Sequence, residues 1–345
     1  MNFEIGIFSL GEVVPDPVTG TRPGSRQRLR DIIEQAEAAE RAGLTVIGVG
    51  ENHGTDVVAA SPVVLLSAIA GRTHLLRLTT AVSVLTAGDP VRLYEQIAML
   101  DNISGGRAEM IVGRGASHRV LCALGLERED HDALFEEKLR QLLKVRETDP
   151  VTLVGPLPRH GVELDLEPRP LQPYLPIWLG SSGTPASVAR AGALGLPLAL
   201  LRTHGPFAEA VPVVEAYRRA LEESGHDGDT PVGLNVPGFV VRAPAQAREL
   251  SHPYFAAGAR SHGPVHPADP RWTREEYERE CGPDGTLVVG DVDEVVAKIV
   301  AQQRALGLER LLLRMDAGGV PHHLALEAIT LLGAEVVPRV RAALG

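Results

Sequence analysis

Eight short runs of β-branched and aliphatic residues recur along the chain, and nearly every one gives way to a stretch whose apolar residues fall at helical spacing. The spacing predicts strands over 3–8, 45–49, 76–84, 108–112, 176–179, 196–201, 234–241 and 311–315. Between and after them it predicts helices from Ser25 to the stop at Gly43, then over 62–73, 90–103, 134–146, 185–193, 207–223, 292–306 and 323–343. The helices at 62 and 90 open on proline, which suits a first turn whose N–H has no intrahelical partner. Strands that alternate with helices lie parallel and bury both faces. Eight such units fit a closed α/β barrel, the (β/α)8 or TIM fold, better than an open doubly wound sheet.

Two segments break the cadence. The first, about 148–174, precedes the fifth strand; seven prolines between Pro150 and Pro176 and short alternating runs point to extended chain. The second, about 244–285, lies between the seventh and eighth strands and holds His252, His262 and His266 among many prolines and glycines. It reads as a mobile cover with one or two short helices, and its histidines chiefly as surface groups. No repeat or linker divides residues 1–345, so one barrel domain with two inserted segments is expected.

Composition narrows the class. The chain has 345 residues, 44% hydrophobic and 23% charged, as in an ordinary folded protein. A net charge of −10 argues against nucleic acid or an anionic membrane as partner. No apolar run is long enough for a membrane helix and residues 1–10 lack a basic flank, so a cytoplasmic location is expected. Cys122 and Cys281 are too few for a disulfide framework or a cysteine zinc site and read as reduced thiols. Twelve histidines raise a metal-dependent hydrolase, yet no His-x-His stands at a strand end and His322-His323 opens the last helix, so no metal is expected.

Chemistry in such a barrel sits where strands end. The second strand runs into Gly50-Glu51-Asn52-His53-Gly54, a carboxylate, an amide and an imidazole in succession. The third contains Ala81, Val82 and Ser83, near the expected floor of a pocket. The fourth ends in Gly113-Arg114-Gly115, a guanidinium between residues that let backbone approach a ligand. The fifth runs into Gly180-Ser181-Ser182-Gly183-Thr184-Pro185-Ala186-Ser187, where hydroxyls, N–H groups and a helix N-terminus make an anion site, or simply an N-cap. Arg107 stands at the opposite end of the fourth strand and reads as structural. Gly180 to Gly183 lacks the Gly-x-Gly-x-x-Gly spacing of a nicotinamide site.

Taken in order, Gly50-Glu51-Asn52-His53, Asp89-Pro90-Val91-Arg92, Leu100-Asp101 with Ser104-Gly105-Gly106-Arg107, Gly113-Arg114-Gly115 and Ala-Gly-Ala-Leu-Gly-Leu-Pro over 191–197 resemble the bacterial luciferase-like flavin-dependent oxidoreductases. The resemblance implies a TIM barrel that uses reduced FMN, supplied by a separate reductase, with O2 to oxygenate a small organic substrate. A deazaflavin-dependent hydride transfer, or a flavin-binding protein with little or no turnover, is the alternative. It implies Arg114 at the flavin phosphate, flanked by Gly113 and Gly115, with Ser182, Gly183, Thr184 and Ser187 completing the cradle. Ala81, Val82 and Ser83 would lie beneath the ring, where the family often has a non-proline cis peptide at the position of Ala81–Val82. Glu51, Asn52 and His53 match a Glu-His-His signature in which the first histidine is here Asn52. An amide can orient an oxygen by hydrogen bonds but cannot act as a general base, so either His53 takes that role or no base is needed there. The resemblance also implies a homodimer packed through helices near the second and third strands.

Overall fold

The computed structural model describes residues 3–115, 131–148, 150–153, 163–261 and 273–345, with 122 and 125 between them. Its centre is a ring of eight parallel strands: β1 (Glu4–Ser9), β2 (Val46–Val49), β3 (Arg77–Thr80), β4 (Ala108–Gly113), β5 (Ile177–Ser181), β6 (Leu198–Leu201), β7 (Val232–Val241) and β8 (Arg310–Arg314). Each stave pairs with its sequence neighbours, and β8 returns to β1 in register, Glu4 opposite Arg310 and Gly6 opposite Leu312. Closure leaves no bare sheet edge in the ring.

Alternation along each stave sorts the core into two parts. Ile5, Ile7, Leu78, Leu311 and Leu313 point outward into the layer shared with the helices, where Leu66, Ile97, Leu142 and Ile299 are fully buried. Phe8, Val46, Ala81, Ile111, Trp178, Ala199 and Leu312 fill the lumen. At the lumen's floor Arg310 is enclosed by Glu4 and Glu109. Its Nε and Nη2 donate to Glu4 Oε2 at 2.8 and 2.6 Å, Nη2 also donates to Glu109 Oε2 at 3.1 Å, and Nη1 binds Glu109 Oε1. The Trp178 ring lies 4.2 Å from the guanidinium. Burial alone would lower the pKa of Arg310, but the two carboxylates outweigh it and hold the cation charged.

The helices follow the predicted cadence closely, and Val292–Leu306 has the bounds its spacing predicts, opened by a capping box of Asp291 and Glu294. Pro90–Ser104 begins with Asp89 accepting from Val91 N and Arg92 N. Arg107 is structural, as its position suggests: it donates to the carbonyls of Ala70, Thr73, Leu76 and Ser104 and so ties the start of β4 to two helices.

Three expectations need correction. The third strand is not continuous over 76–84, for it stops at Thr80 and resumes only as Ser83–Val84. The last helix contains a π-helical turn, Leu332–Val336, between His322–Leu331 and Val337–Leu344. Among its described residues the cover has two helices, as expected, but the first is not short. Pro244–Ser261 is one helix of 18 residues despite Pro253, and Arg274–Cys281 is another, capped by Thr273. A strand missed in the sequence, Val288–Asp291, pairs in parallel with Gly238–Val241 at the end of β7.

Apolar contacts hold the cover down: Ala247, Tyr254, Phe255 and Tyr277 are buried, and Tyr277 donates to or accepts from Ser251 Oγ at 2.6 Å. Gly258 meets Gly318, where a Cβ on Gly258 would lie 2.6 Å from the Gly318 Cα. His252 packs against the Tyr277 ring, while His262 and His266 lie outside the described residues. The first interruption contributes an antiparallel pair, Val151–Thr152 with Glu163–Leu164. No helix among the described residues is long and apolar enough to cross a membrane.

Candidate active site

The break in the third stave makes the floor of the site. β3 ends at Thr80, the Ala81–Val82 peptide is cis, and Ser83–Val84 then pairs with Val112 and Gly113 of β4. Ser83 is buried in that pairing. Three neighbouring staves bring bare backbone against the bend. A Cβ on Gly50 would lie 2.7 Å from the Ala81 carbonyl oxygen, on Gly113 2.8 Å from Val82 Cγ2, and on Gly180 2.6 Å from Val82 Cγ1. The Ala81–Val82 unit therefore forms a ledge into which β2, β4 and β5 can project no side chain at these positions.

Glu51 locks the ledge from the side of β2. Its N–H donates to the Val82 carbonyl at 2.8 Å, and its Oε2 accepts from Val84 N at 2.8 Å. Oε1 lies 3.0 Å from His53 Nε2, so the carboxylate also orients the exposed imidazole. With the proton on Nε2, Nδ1 is the nitrogen left to accept one; this tautomer follows from the hydrogen bond. Asn52 is fixed through its backbone, its N–H donating to the Ala59 carbonyl at 3.0 Å, and its half-buried side chain makes no hydrogen bond among the described residues. The three signature residues are thus together, with Glu51 acting on both the ledge and His53.

The hydroxyl turn stands at the end of β5. Ser181, part of the hydroxyl turn read from the sequence but not among the cradle residues that the resemblance implies, is its hub: buried at the strand's last position, it accepts from Gly183 N at 2.9 Å and touches Ser187 Oγ at 2.5 Å. Ser187 in turn contacts Thr184 Oγ1 at 2.8 Å and donates to the Thr184 carbonyl at 2.9 Å. These bonds hold the hydroxyls beside the start of helix Pro185–Ala193, whose N-cap Thr184 makes no side-chain cap bond. Ser182 is exposed at the rim, and Gly183 adopts a φ of +93° that favours glycine.

Arg114 follows the last residue of β4 and pairs at 2.5 Å with Asp132, which lies in the first turn of helix His131–Glu147. That hydrogen bond, ahead of all other influences, holds the Asp132 carboxyl below the usual carboxylate range, and Arg190 adds to it. Arg190 belongs to the helix that the hydroxyl turn opens, and it binds Glu136 on the helix that carries Asp132. The two helices thereby bring Arg114 and the turn to neighbouring parts of one rim. Gly115 carries a φ of +82° beside Val84.

A cation, a ring of hydroxyls and a helix start beside a bare ledge suit a ligand with an anionic tail and a flat head. A sequence model of the luciferase-like monooxygenases matches residues 3–310. The chain belongs to that family. It is accordingly an enzyme of the flavin-dependent oxidoreductase class. Among solved luciferase-like structures, the monooxygenase RslO1 from Streptomyces bottropensis superimposes with a TM-score of 0.83 at 23% identity, covering 97% of this chain and 99% of that one. The oxygenating constituent of 3,6-diketocamphane monooxygenase from Pseudomonas putida, in complex with FMN, gives 0.76 at 19% identity over 99% of each chain. An F420-dependent secondary alcohol dehydrogenase gives 0.74 at 17% identity, covering 99% of this chain and all of the other. Those identities establish the fold, and with it the closed barrel expected from the strand count.

Proposed function

We propose that this luciferase-like protein is an FMN-dependent monooxygenase that receives reduced FMN from a separate reductase and oxygenates a small organic substrate. The observation that carries the reading is the convergence of Arg114 with the Ser181–Ser187 turn on the rim beside the Ala81–Val82 ledge. The donor set fits a monophosphate: one guanidinium, hydroxyls and the first N–H groups of a helix. The ring would rest on the Ala81–Val82 ledge, whose bend Gly50, Gly113 and Gly180 accommodate by letting their staves pack close against it.

Reduced FMN, when bound, supplies the two electrons that activate O2. The chain's residues then have separate tasks. Arg114, Gly183, Thr184 and Ser187 hold the phosphate, and Ala81 and Val82 support the ring. Glu51 fixes the ledge and keeps His53 in one orientation, leaving Nδ1 to take or give a proton. Asn52 offers hydrogen bonds without changing charge, so proton transfer on this side of the site falls to His53. The cover helix Pro244–Ser261, docked on the β8 exit, restricts access of water.

The similarity to an F420-dependent dehydrogenase makes a deazaflavin the second candidate, and the net charge of −10 favours the less acidic FMN. The exposed Val64, Met99 and Ile103, on helices Pro62–Ala70 and Pro90–Ser104, support a homodimer through that face. Titrating the purified protein with FMN and with the deazaflavin, in parent and Arg114→Ala, tests the cofactor. FMN is expected to bind more tightly than deazaflavin, with affinity at least tenfold weaker in the variant; unchanged affinity would remove the central support. Asn52→His is expected to change the rate at which reduced FMN reoxidises in air, with and without a long-chain aldehyde.

A further inference from the structure

Opposite the phosphate rim, β7 and β8 place two polar side chains in the lumen that are incompletely paired among the described residues. Register and alternation fix their direction. Leu312 lies in the lumen cluster and Arg310 on its floor, so Arg314, two residues further along β8, also faces inward. Asn235 pairs in register with Leu312 and with Leu201 of β6, on the same inward face. Arg314 and Asn235 thus occupy successive inward layers, roughly 7 Å apart along the staves.

Asn235 is only 4% exposed, yet its Oδ1 is buried without a hydrogen bond among the described residues. Arg314 has a side chain 13% exposed, its Nε is buried without an acceptor, and its one ion pair among the described residues is to Glu12 Oε2 at 3.9 Å. That separation exceeds a hydrogen bond, and Glu12 Oε2 already accepts from Gly318 N at 2.7 Å. The contrast within one strand is direct: Arg310 has both carboxylates it needs, whereas Arg314 has a buried Nε with no acceptor among the described residues and one long ion pair. Buried donors and acceptors left open at a barrel mouth are what a bound ligand satisfies.

We propose that Arg314 and Asn235 are specificity-determining residues that recognise a substrate bearing a carboxylate, with a hydroxyl or amine donor about one ring's length away from it. Arg314 takes the carboxylate in a bidentate pair, and Asn235 Oδ1 accepts from the donor. β8 stands four staves from β4, so this anchor is separate from the phosphate grip. The inference rests on the flavin reading only for the position of the reacting ring.

Benzoate, benzamide and 4-hydroxybenzoate serve as probes, followed by perturbation of the FMN absorbance in loaded protein and by thermal shift in protein without flavin. Benzoate is expected to bind at least tenfold more tightly than benzamide, and 4-hydroxybenzoate several-fold more tightly than benzoate. Arg314→Gln should erase the first preference, Arg314→Lys should restore part of it, and Asn235→Leu should erase the second, all with FMN affinity within twofold of the parent. Equal binding of benzoate and benzamide overturns the proposal, as does a carboxylate preference that survives in Arg314→Gln. A tenfold loss of FMN affinity in Arg314→Gln would assign the arginine to the flavin and overturn it as well. If FMN itself does not bind, the thermal-shift arm still decides the matter, so failure of the cofactor reading and failure of this one remain distinguishable. Thermal unfolding of each variant checks that the barrel is intact.

Discussion

The floor and the mouth of the barrel are built from similar residues on opposite principles. At the floor Arg310 meets Glu4 and Glu109 and stacks on Trp178, and every charge finds a partner. At the mouth Arg314 Nε and Asn235 Oδ1 have no partner among the described residues, glycines replace side chains around Ala81–Val82, and Arg114 pairs with the exposed Asp132. A saturated network fixes one arrangement of the staves, whereas an open one has capacity to bind. The same stave, β8, contributes to both ends, so the difference comes from depth along the barrel and not from the strand's composition.

The largest expected effect lies at the floor. Glu109→Ala leaves Arg310 buried with half its partners and should cost about 3–5 kcal/mol, read as a fall in the urea midpoint. A loss below about 1 kcal/mol would mean that the floor is not the saturated network described and would break the comparison. Gly113→Ala probes the ledge, where the new methyl meets Val82 Cγ2 at 2.8 Å. Overpacking there should cost about 1–3 kcal/mol and weaken FMN binding by more than the stability loss accounts for. Stability and binding falling in proportion would show that the ledge supports the fold only. Asn235→Leu should move stability in the other direction, raising it by about 1 kcal/mol, because it removes a buried acceptor that has no partner among the described residues. A destabilised Asn235→Leu would mean that the amide is satisfied within the protein.

The barrel was legible from sequence because its signal is repeated eight times, and a local error at one boundary does not disturb the count. Arg107 was legible too, since a cation beside Ser104-Gly105-Gly106 at the start of a strand sits on the stabilising face. The bend at Ala81–Val82 came from resemblance alone: Leu76 to Val84 reads as ordinary strand, and the glycines that make room for it belong to three other staves. Arg314 and Asn235 carried no signal, for Leu311, Leu312 and Leu313 are all apolar and hide the period of two, and only register with β7 shows which of them faces the lumen. The length of helix Pro244–Ser261 was underestimated because Pro253 and the glycines nearby argue locally for loop, whereas Ala247, Tyr254 and Phe255 bury themselves against elements distant in sequence.

The smallest expected change in stability tests the mouth most directly. Asp132 and Arg114 are 65% and 47% exposed in their side chains, so solvent screens the pair and Asp132→Asn should change stability by less than about 0.5 kcal/mol. Its effect on binding should be larger than its effect on folding. A phosphate reaching Arg114 must displace the Asp132 carboxylate, and Arg114 holds that carboxyl below its ordinary pKa, so the competitor stays charged throughout the neutral range. Removing the charge should tighten FMN binding a few-fold at low ionic strength, and the gain should shrink as salt screens the competition. FMN binding weakened by Asp132→Asn would show instead that Asp132 orients the guanidinium toward its ligand. The mouth would then be pre-ordered by its ion pair as the floor is, and the distinction between the two ends would rest on Arg314 and Asn235 alone.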